Sequence, residues 1–237
     1  MTTAPTSLRR RPRMSPVWFA GAVILVLIAV SIALAVQRND PTSNDPRDGS
    51  GVIATQARRL EPFSSVDLAG ANTVSITVGS DQRVAITGDD NLLDRVVTTV
   101  SGGALAIDNS GDFRTHTAMT VDIEVPTLSA VTLSGSGTIT VVGVTGESFT
   151  VRLPGAGTIE GSGRVDDLSA SIDGSGTIEI AGLMARDAVA GIGGSGTILL
   201  NASRSLDATI TGTGSIVCSG SPSEVARRVT GTGTITS

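Results

Sequence analysis

The sequence predicts an all-β fold, a parallel β-solenoid with coils of about nineteen residues, preceded by a single transmembrane α-helix. Three observations support this. A Gly-x-Gly motif recurs six times in the C-terminal half, an isoleucine stands at a fixed distance after each copy, and twenty residues near the N-terminus carry no charge. Recurrence at a fixed period is typical of stacked coils, and an uncharged run of that length is typical of a membrane span.

Composition narrows the classes of function. The chain of 237 residues is 40% hydrophobic and 16% charged, which is too apolar for a disordered polar tract. Aromatic residues make up 2% of it and its formal net charge is −5, whereas single-stranded nucleic-acid binding uses aromatic rings along a basic groove. The single cysteine, Cys218, cannot build a disulfide scaffold. We therefore expect no nucleic-acid partner.

The first 36 residues predict a signal anchor. Residues 17–36 read VWFAGAVILVLIAVSIALAV, and as a helix they would be about 30 Å long, enough to cross a bilayer. Four arginines lie in residues 1–16, and one, Arg38, follows the apolar run. Positive charge favours the cytoplasmic side. We therefore predict a single-pass protein of the cell membrane, with residues 1–16 cytoplasmic and the C-terminal domain extracytoplasmic.

The alternative is a cleaved signal peptide. Ala33-Leu34-Ala35 matches the A-x-A cleavage pattern, and cleavage after Ala35 would give a secreted protein. Signal-peptide apolar cores usually run to about 7–15 residues. This run is longer, so the uncleaved anchor is favoured. No cysteine directly follows the run, which excludes a lipoprotein anchor.

Residues 37–58 predict a flexible extracytoplasmic stalk. They include QRNDPTSNDPRDGSG, in which polar residues, proline and glycine dominate without apolar periodicity. Residues 59–237 are then the folded domain. After residue 36 the chain has 13 arginines and 22 acidic residues, a net charge of 13 − 22 = −9. We expect this part to repel nucleic acid and anionic lipid.

The repeat occupies residues 133–237. Segments such as LSGSGTITV, IDGSGTIEI and VTGTGTITS align without gaps, and their first glycines are 20, 19, 20, 18 and 19 residues apart. These glycines are Gly135, Gly155, Gly174, Gly194, Gly212 and Gly231. An isoleucine comes four residues after each, and leucine, isoleucine or valine two before. Because side chains alternate along a strand, the repeat predicts one in-register strand per coil, joined by short arcs.

The glycines and the columns beside them have predicted roles. Both glycines of each motif share the inward parity, where the lack of a Cβ would let the chain bend and opposite walls approach. Cys218 falls in an inward column and is predicted to be a small buried hydrophobe. The inward column that begins at Val131 ends in Arg227, which predicts a polar cap on the last coil.

Residues 60–127 lack the repeat but keep strand patterning. Val74, Ile76 and Val78 alternate with polar residues before a Gly-Ser-Asp turn. We predict that this region forms N-terminal coils and a cap of the same domain.

Several motifs together carry a resemblance. They are Phe63 with Val66, Val74-Ser75-Ile76, Gly88-Asp89-Asp90-Asn91-Leu92-Leu93, Leu105-Ala106-Ile107, Val125-Pro126-Thr127-Leu128 and the GSGTI repeats. With them, residues 60–237 resemble the head GIN domain family, which is labelled putative auto-transporter adhesin. The resemblance implies a bacterial envelope protein with a right-handed parallel β-helix, and it brings no catalytic residues. Because the last repeat reaches Ser237, we expect the N-terminal helix to do the anchoring.

Acidic pairs raise the alternative of a β-helix enzyme that acts on polysaccharides. The pairs are Asp89/Asp90, Asp122/Glu124 and Asp166/Asp167. Such pairs are ordinary in turns and on solvated strands, and three phenylalanines beyond residue 36 offer little for sugar stacking. The only histidine, His116, and one cysteine cannot assemble a typical metal site. We therefore expect no enzymatic activity, no cofactor and no metal.

Hydroxyl groups form the candidate surface. Two outward serine or threonine positions recur in the repeat, one between the glycines and one after them. The candidate residues are Ser136, Thr138, Ser175, Thr177, Ser195, Thr197, Thr213 and Ser215, with Thr232 and Thr234 in the last copy. Threonine suits a solvated strand, so structure alone can explain them. Ice-binding solenoids carry similar T-x-T rows, but the glycine between these hydroxyls predicts a bend.

The function predicted is that of a non-enzymatic, membrane-anchored bacterial envelope protein whose exported solenoid serves adhesion, binding or scaffolding. The expected partners are the membrane, through one helix, and a cell-wall, matrix or protein partner on the solenoid surface. Self-association through exposed solenoid edges is a further alternative.

Overall fold

The computed structural model describes residues 47–237. The predicted cytoplasmic segment 1–16, the predicted transmembrane helix 17–36 and residues 37–46 of the predicted stalk lie outside the described residues. Among residues 47–237, no helix has the length and apolarity that a membrane span needs. The anchor and its orientation therefore stay predictions.

The described part consists of seventeen strands and one short 3-10 turn at Leu93–Arg95. The strands are β1 (Arg47–Asp48), β2 (Ile53–Arg58), β3 (Ser65–Leu68), β4 (Thr73–Val78), β5 (Arg83–Asp89), β6 (Val96–Ser101), β7 (Ala104–Asn109), β8 (Phe113–Arg114), β9 (Thr120–Val125), β10 (Ala130–Leu133), β11 (Thr138–Leu153), β12 (Thr158–Ile172), β13 (Thr177–Ile192), β14 (Thr197–Ile210), β15 (Ser215–Cys218), β16 (Glu224–Val229) and β17 (Thr234–Thr236). The all-β prediction is confirmed.

Parallel pairing stacks the strands into two walls. On the first wall, which follows each bend, β9 pairs with β4, β4 with the start of β11, and the stack continues through the starts of β12–β14 to β15 and β17. On the second wall, which precedes each bend, the order is β7, β3, β10, the ends of β11–β14 and β16. This arrangement confirms the parallel β-solenoid.

For the coils of β11–β14 the prediction of one strand per coil is confirmed, but the predicted short arcs are wrong. β11, β12, β13 and β14 each begin on the first wall and end on the second, because the ladder continues through a short connecting segment. Residues of that segment also face the core, and Val144, Val165 and Leu183 are buried. Pairing the backbone almost throughout the coil satisfies its N–H and C=O groups. The glycine motif is the bend that remains outside the strands.

The core is one continuous cluster of aliphatic side chains. The isoleucine column is the clearest part of it, with Ile139, Ile178 and Ile198 fully buried. Cys218 is 5% exposed, so its predicted role as a buried hydrophobe is confirmed. Burial of one isoleucine side chain contributes about 1.5–3 kcal/mol, so this column strongly stabilises the stack.

Contact between successive coils is what requires glycine at the bends. A Cβ on Gly155 would lie less than 3.0 Å from the carbonyl oxygen of Gly135 in the preceding coil, and the first glycine of each later copy meets its predecessor in the same way. A Cβ on Gly157 would likewise meet the Gly137 oxygen. The motif glycines have no positive φ. The close approach is therefore between coils along the stack, and not between opposite walls as predicted.

Hydrogen bonds carry the ladder through the bend. The N–H of Ser175 donates to the Gly155 oxygen at 3.1 Å, and the N–H of Thr177 donates to the Gly157 oxygen at 3.0 Å. Equivalent bonds are donated by Ser195, Thr197, Thr213, Ser215, Thr232 and Thr234. A side chain on the glycines would push these donors and acceptors apart.

The N-terminal coils are stacked out of chain order. β3 and β4 lie between β7 and β9 on one side and β10 and β11 on the other. Residues 65–78 thus separate two segments that follow them in the chain. Antiparallel strands close this end, with β6 on β7, β5 on β9 and β2 on β5.

The stalk prediction is wrong for residues 47–58. β1 pairs with β8, and β2 is an edge strand on β5. Sequence patterning missed β2 because its half-buried positions are Ala54, Gln56 and Arg58, while Ile53 is 66% exposed. The usual apolar alternation is therefore absent. The Arg58 guanidinium donates to the carbonyl oxygen of Leu93 at 3.0 Å, which ties the strand to the 3-10 turn.

Arg227 stands at the end of the last described coil, where a polar cap is predicted. All six residues of β16 are exposed, and Arg227 aligns with Ala208 of the buried column. Its guanidinium donates to the hydroxyl of Ser237, which follows β17 of the first wall. The arginine side chain therefore reaches from the second wall toward the first.

The bend geometry predicts opposite outcomes for two glycines. Gly155→Ala is expected to lower the free energy of unfolding by about 1–3 kcal/mol, because the new Cβ collides with a backbone oxygen. Gly191→Ala, in β13, meets no atom within 4 Å. It should leave that free energy unchanged or raise it by up to about 1 kcal/mol. Urea unfolding of the full-length chain measures both, and equal effects would contradict the coil-contact explanation.

Candidate binding surface

The first set of predicted hydroxyls lies on the glycine bends. Exposed hydroxyl residues occupy the middle of the bends at Ser136, Ser175, Ser195, Thr213 and Thr232, which we call the bend row. Ala156 takes this position in the second copy and interrupts the bend row. These residues lie between strands, so the predicted bend is confirmed and the two hydroxyls of one copy do not share a flat strand.

The second set lies on the first wall, directly after each bend, and is longer than the sequence indicates. Thr138, Thr177, Thr197 and Ser215 are half-buried and in register, with Thr158 between the first two. Further hydroxyls extend the line toward both ends of the sheet. In order it reads Thr55, Thr87, Thr120, Thr73, Thr138, Thr158, Thr177, Thr197, Ser215 and Thr234. We call these ten residues the hydroxyl row.

Sequence reasoning missed half of the hydroxyl row. Thr158 stands in the copy whose bend has alanine, and the other missed members lie outside the repeat: Thr55, Thr87, Thr120 and Thr73. One sequence signal was available, since Thr73 and Thr120 each precede a buried valine. The out-of-order and antiparallel pairings that align them leave no signal in the sequence.

The hydroxyl row presents one kind of group at regular steps. Its members stand one strand apart, about 4.8 Å. In the repeat their backbone N–H groups are already bonded within the ladder, so the side-chain hydroxyls are what they offer to a ligand. The next outward position on the wall carries Asp122, Ser75, Thr140, Glu160, Glu179, Leu199 and Val217. The hydroxyl row is therefore flanked by a line of mixed character that includes three acidic side chains.

Asp89 of the first acidic pair has a structural role. It has no exposed surface, and its carboxylate accepts backbone N–H groups from Gly51 at 2.7 Å, His116 at 2.9 Å and Thr117 at 3.2 Å. Burial opposes its ionisation, but these hydrogen bonds outweigh that effect and hold the pKa of Asp89 below its ordinary value. Asp89 thus fastens two separate segments to the end of β5.

Ion pairs engage the acidic residues of the second wall. Asp166 lies 3.9 Å from Arg186. Asp187, which aligns with Asp167, accepts the Nε–H of Arg204 at 2.6 Å. Hydrogen bonds from Arg204 and a neighbouring serine hydroxyl hold the pKa of Asp187 below its ordinary value. Asp166 and Asp187 are therefore each paired with arginine, whereas Asp167 has no ion pair among residues 47–237.

The remaining candidates are also apart from one another. Asp122 and Glu124 project outward from β9, and Glu124 aligns with Arg83 of β5. His116 is exposed, and its Nδ1 lies 2.8 Å from the Gly49 carbonyl oxygen. Within residues 47–237, no cluster of three histidine, cysteine or acidic side chains could hold a metal ion. His116 meets Asp89 only through its backbone N–H, and the other acidic pairs lie elsewhere, so these side chains do not form one site.

The family model described as putative auto-transporter adhesin, head GIN domain, matches residues 62–222. The chain belongs to the head GIN domain family. The matched range runs from before β3 to beyond β15, so the head GIN domain includes both walls and the hydroxyl row from Thr73 to Ser215.

Two solved structures resemble the head GIN domain described here. A putative adhesin from Bacteroides fragilis NCTC 9343 has 24% sequence identity, covering 80% of this chain and 98% of its own, with a TM-score of 0.66. A putative lipid binding protein from Parabacteroides distasonis ATCC 8503 has 25% identity, covering 81% and 99%, with a TM-score of 0.53. No curated protein matches the sequence. The fold is therefore one that this chain shares with these two bacterial proteins.

The hydrogen-bonded Asp89 predicts an acid dependence of stability. A carboxyl whose folded pKa lies below the ordinary value of 3.8 stabilises the fold above that pH, and the contribution is lost as pH falls through the folded pKa. Asp89→Asn should therefore lower stability at neutral pH and flatten its decline between about pH 5 and pH 2. Urea midpoints across this range measure the slope. Asp90 is exposed, so Asp90→Asn is the control. If the urea midpoint of Asp89→Asn depends on pH as that of the unmodified chain does, the stabilising role of the Asp89 carboxylate is refuted.

Proposed function

We propose that the chain is a non-enzymatic, membrane-anchored protein of the bacterial cell envelope, whose extracytoplasmic head GIN domain binds an extended polymer with repeated polar groups. The observation that carries this proposal is the hydroxyl row, ten residues in register along the first wall. A line of identical groups suits a repeating ligand better than a compact substrate. A neutral cell-wall glycan has the matching chemistry, because its hydroxyls can both donate to and accept from threonine.

Two further observations support binding to a surface polymer. The family description and the Bacteroides fragilis neighbour both name adhesins. The charge of 13 − 22 = −9 beyond residue 36 disfavours anionic polymers and favours neutral ones.

The Parabacteroides distasonis neighbour is described as a putative lipid binding protein, but a lipid ligand has less support in this chain. Among the exposed large apolar side chains, Val142 lies on the first wall and Ile53 on the edge strand, whereas Val189 and Val225 line one cavity of about 420 Å³ on the second wall. A bilayer needs a broader apolar surface than this.

Removal of hydroxyls from the row is the direct test. The double variant Thr158→Val/Thr177→Val keeps side-chain shape and removes two hydroxyls from the middle of the hydroxyl row. Binding of the full-length chain to isolated peptidoglycan whose carboxyl groups have been amidated should weaken at least about fivefold, since a hydrogen bond contributes about 0.5–1.5 kcal/mol. Co-sedimentation measures the bound fraction.

The matched control is Thr150→Val/Thr209→Val, which removes two half-buried hydroxyls from the second wall. It should bind peptidoglycan as the unmodified chain does. Equal binding by both double variants, or none by the unmodified chain, would refute the proposed surface. Release of soluble sugar from the polymer would instead favour the polysaccharide-acting enzyme.

The anchor is part of the proposal and has its own test. Residues 1–16 are proposed to lie in the cytoplasm and residues 17–36 to span the membrane, with the head GIN domain outside. The expected result is a full-length chain that stays with membranes after alkaline washing. N-terminal sequencing that begins at Val36 would show cleavage after Ala35 and a secreted protein. The right-handed winding implied by the family resemblance stays a prediction.

Self-association is a second candidate function, favoured by the last described coil. Within residues 47–237, β16 and β17 each pair on one side, and Val225 and Val229 of β16 are 39% and 44% exposed. An unpaired edge of this kind is a template for another strand. A molecular mass that does not change with concentration would remove this candidate.

A further inference from the structure

A cavity of about 810 Å³ lies where the column of glycine bends ends. The bend at residues 69–72 stacks on the bend at 134–137, and a Cβ on Gly135 would collide with backbone oxygens of Ala69 and Gly70. On its other side it faces residues 110–119, a connection between β7 and β9 that is too long to stack as a bend. The cavity occupies the space between them, and its volume is within the range usual for ligand sites.

The backbone ladder is interrupted at this cavity. The N–H of Ala69 donates to Ile107 at 2.9 Å, and the N–H of Thr73 donates to Met119 at 3.4 Å. Between them, the N–H group of Ala71 makes no hydrogen bond to any residue in 47–237. At the equivalent position of the repeat, Ser175 donates to a glycine oxygen. The cavity therefore has a free backbone donor at a position that is bonded internally in the bends from Ala156 onward, although the N–H of Ser136 also makes no such bond within residues 47–237.

Two asparagines supply further polar groups on the lining. Asn72 is 4% exposed, and its Nδ2 donates to the Oδ1 of Asn109 at 2.8 Å. This bond leaves the Asn72 Oδ1 as an acceptor and N–H groups of Asn109 as donors, without partners among residues 47–237. If both side-chain amides are turned so that oxygen and nitrogen change places, one acceptor group and one donor group still remain without a partner. Neither group is among the buried polar atoms that lack a partner, so solvent reaches both, and they are available to a ligand that supplies a donor and an acceptor.

Apolar and charged side chains complete the lining. Phe63 and Phe149 are buried in the core, whereas Phe113 is half-buried and lines the cavity. Asp112 and Arg114 also line the cavity, and Arg114 lies 3.7 Å from Asp48, so the lining carries opposite charges, which favours a ligand of no net charge. The sequence had offered little for sugar stacking, and the structure places this one ring where it can serve that purpose.

The cavity wall is held in place before any ligand arrives. Phe113 and Arg114 form β8, which pairs with Arg47 and Asp48 of β1. Farther along the same connection, two N–H groups donate to the buried Asp89. Preorganisation of this kind lowers the entropic cost of binding.

We infer that this cavity binds one N-acetylated amino sugar unit of a neutral glycan. The acetamido N–H donates to the Asn72 Oδ1, its carbonyl accepts from Asn109 and Ala71, and the sugar face lies on Phe113. Thr73 belongs to both the cavity lining and the hydroxyl row, so a chain bound in the cavity can continue along the wall. The inference rests on the proposed function, because the unit belongs to the polymer that the hydroxyl row binds.

The test uses the full-length chain and the disaccharide of β-1,4-linked N-acetylglucosamine, with maltose as a sugar that lacks acetamido groups. Calorimetry should detect binding of the first and not of the second. Asn109→Asp keeps the acceptor for Asn72 and removes the donor, so affinity should fall at least about tenfold. Phe113→Leu, which keeps an apolar side chain but removes the ring, should also weaken binding.

Asn201→Asp is the matched control, because it makes the same charge change in β14, outside the cavity lining. It should leave the affinity unchanged, as should Thr158→Val/Thr177→Val. Absence of disaccharide binding, or affinity that Asn109→Asp does not alter, would overturn the inference. Binding of phosphatidylethanolamine vesicles that is lost in Asn109→Asp would overturn it in favour of a lipid. If peptidoglycan binding still depends on the hydroxyl row, the proposed function survives without the cavity.

Discussion

The contact between successive glycine bends is the constraint on which the structure depends. The Gly155 carbonyl faces the next coil and accepts an N–H from Ser175, while its own Cβ position is filled by the oxygen of Gly135. Since no side chain fits between the coils there, glycine recurs in the same place and each coil adopts the register of its neighbour. The buried isoleucine column and the hydroxyl row both follow from that shared register.

The same constraint determines which surfaces are open to function. Where the bends from residue 155 onward stack on their predecessors, backbone donors are used inside the ladder and side-chain hydroxyls remain on the surface. Where stacking stops, beside residues 69–72, the ladder is interrupted and a cavity with partnerless polar groups appears. Acidic residues elsewhere hold the fold together, as Asp89 does for two N-terminal segments and Asp187 does for Arg204.

The sequence allowed prediction of features that depend on local periodicity. Alternation was enough to place Ile139 and Cys218 in the core and Ser136 on the surface. Features that depend on distant pairing could not be predicted. β2 was missed because an edge strand can carry Gln56 and Arg58 inward, and Thr73 joined the row only because its strand is inserted between later ones. The cavity could not be predicted for the same reason, because it forms where the short bend at residues 69–72 lies beside the longer connection at residues 110–119.

Amide hydrogen exchange tests most directly whether the ladder passes through the bends. The Ser175 and Ser195 side chains are exposed, yet their N–H groups are bonded to glycine oxygens at 3.1 and 3.0 Å. We predict that these two amides exchange as slowly as those of the adjoining strands, and that the Ala71 amide, which lacks such a bond within residues 47–237, exchanges rapidly. Exchange of Ser175 and Ser195 at the rate of Ala71 would contradict the account.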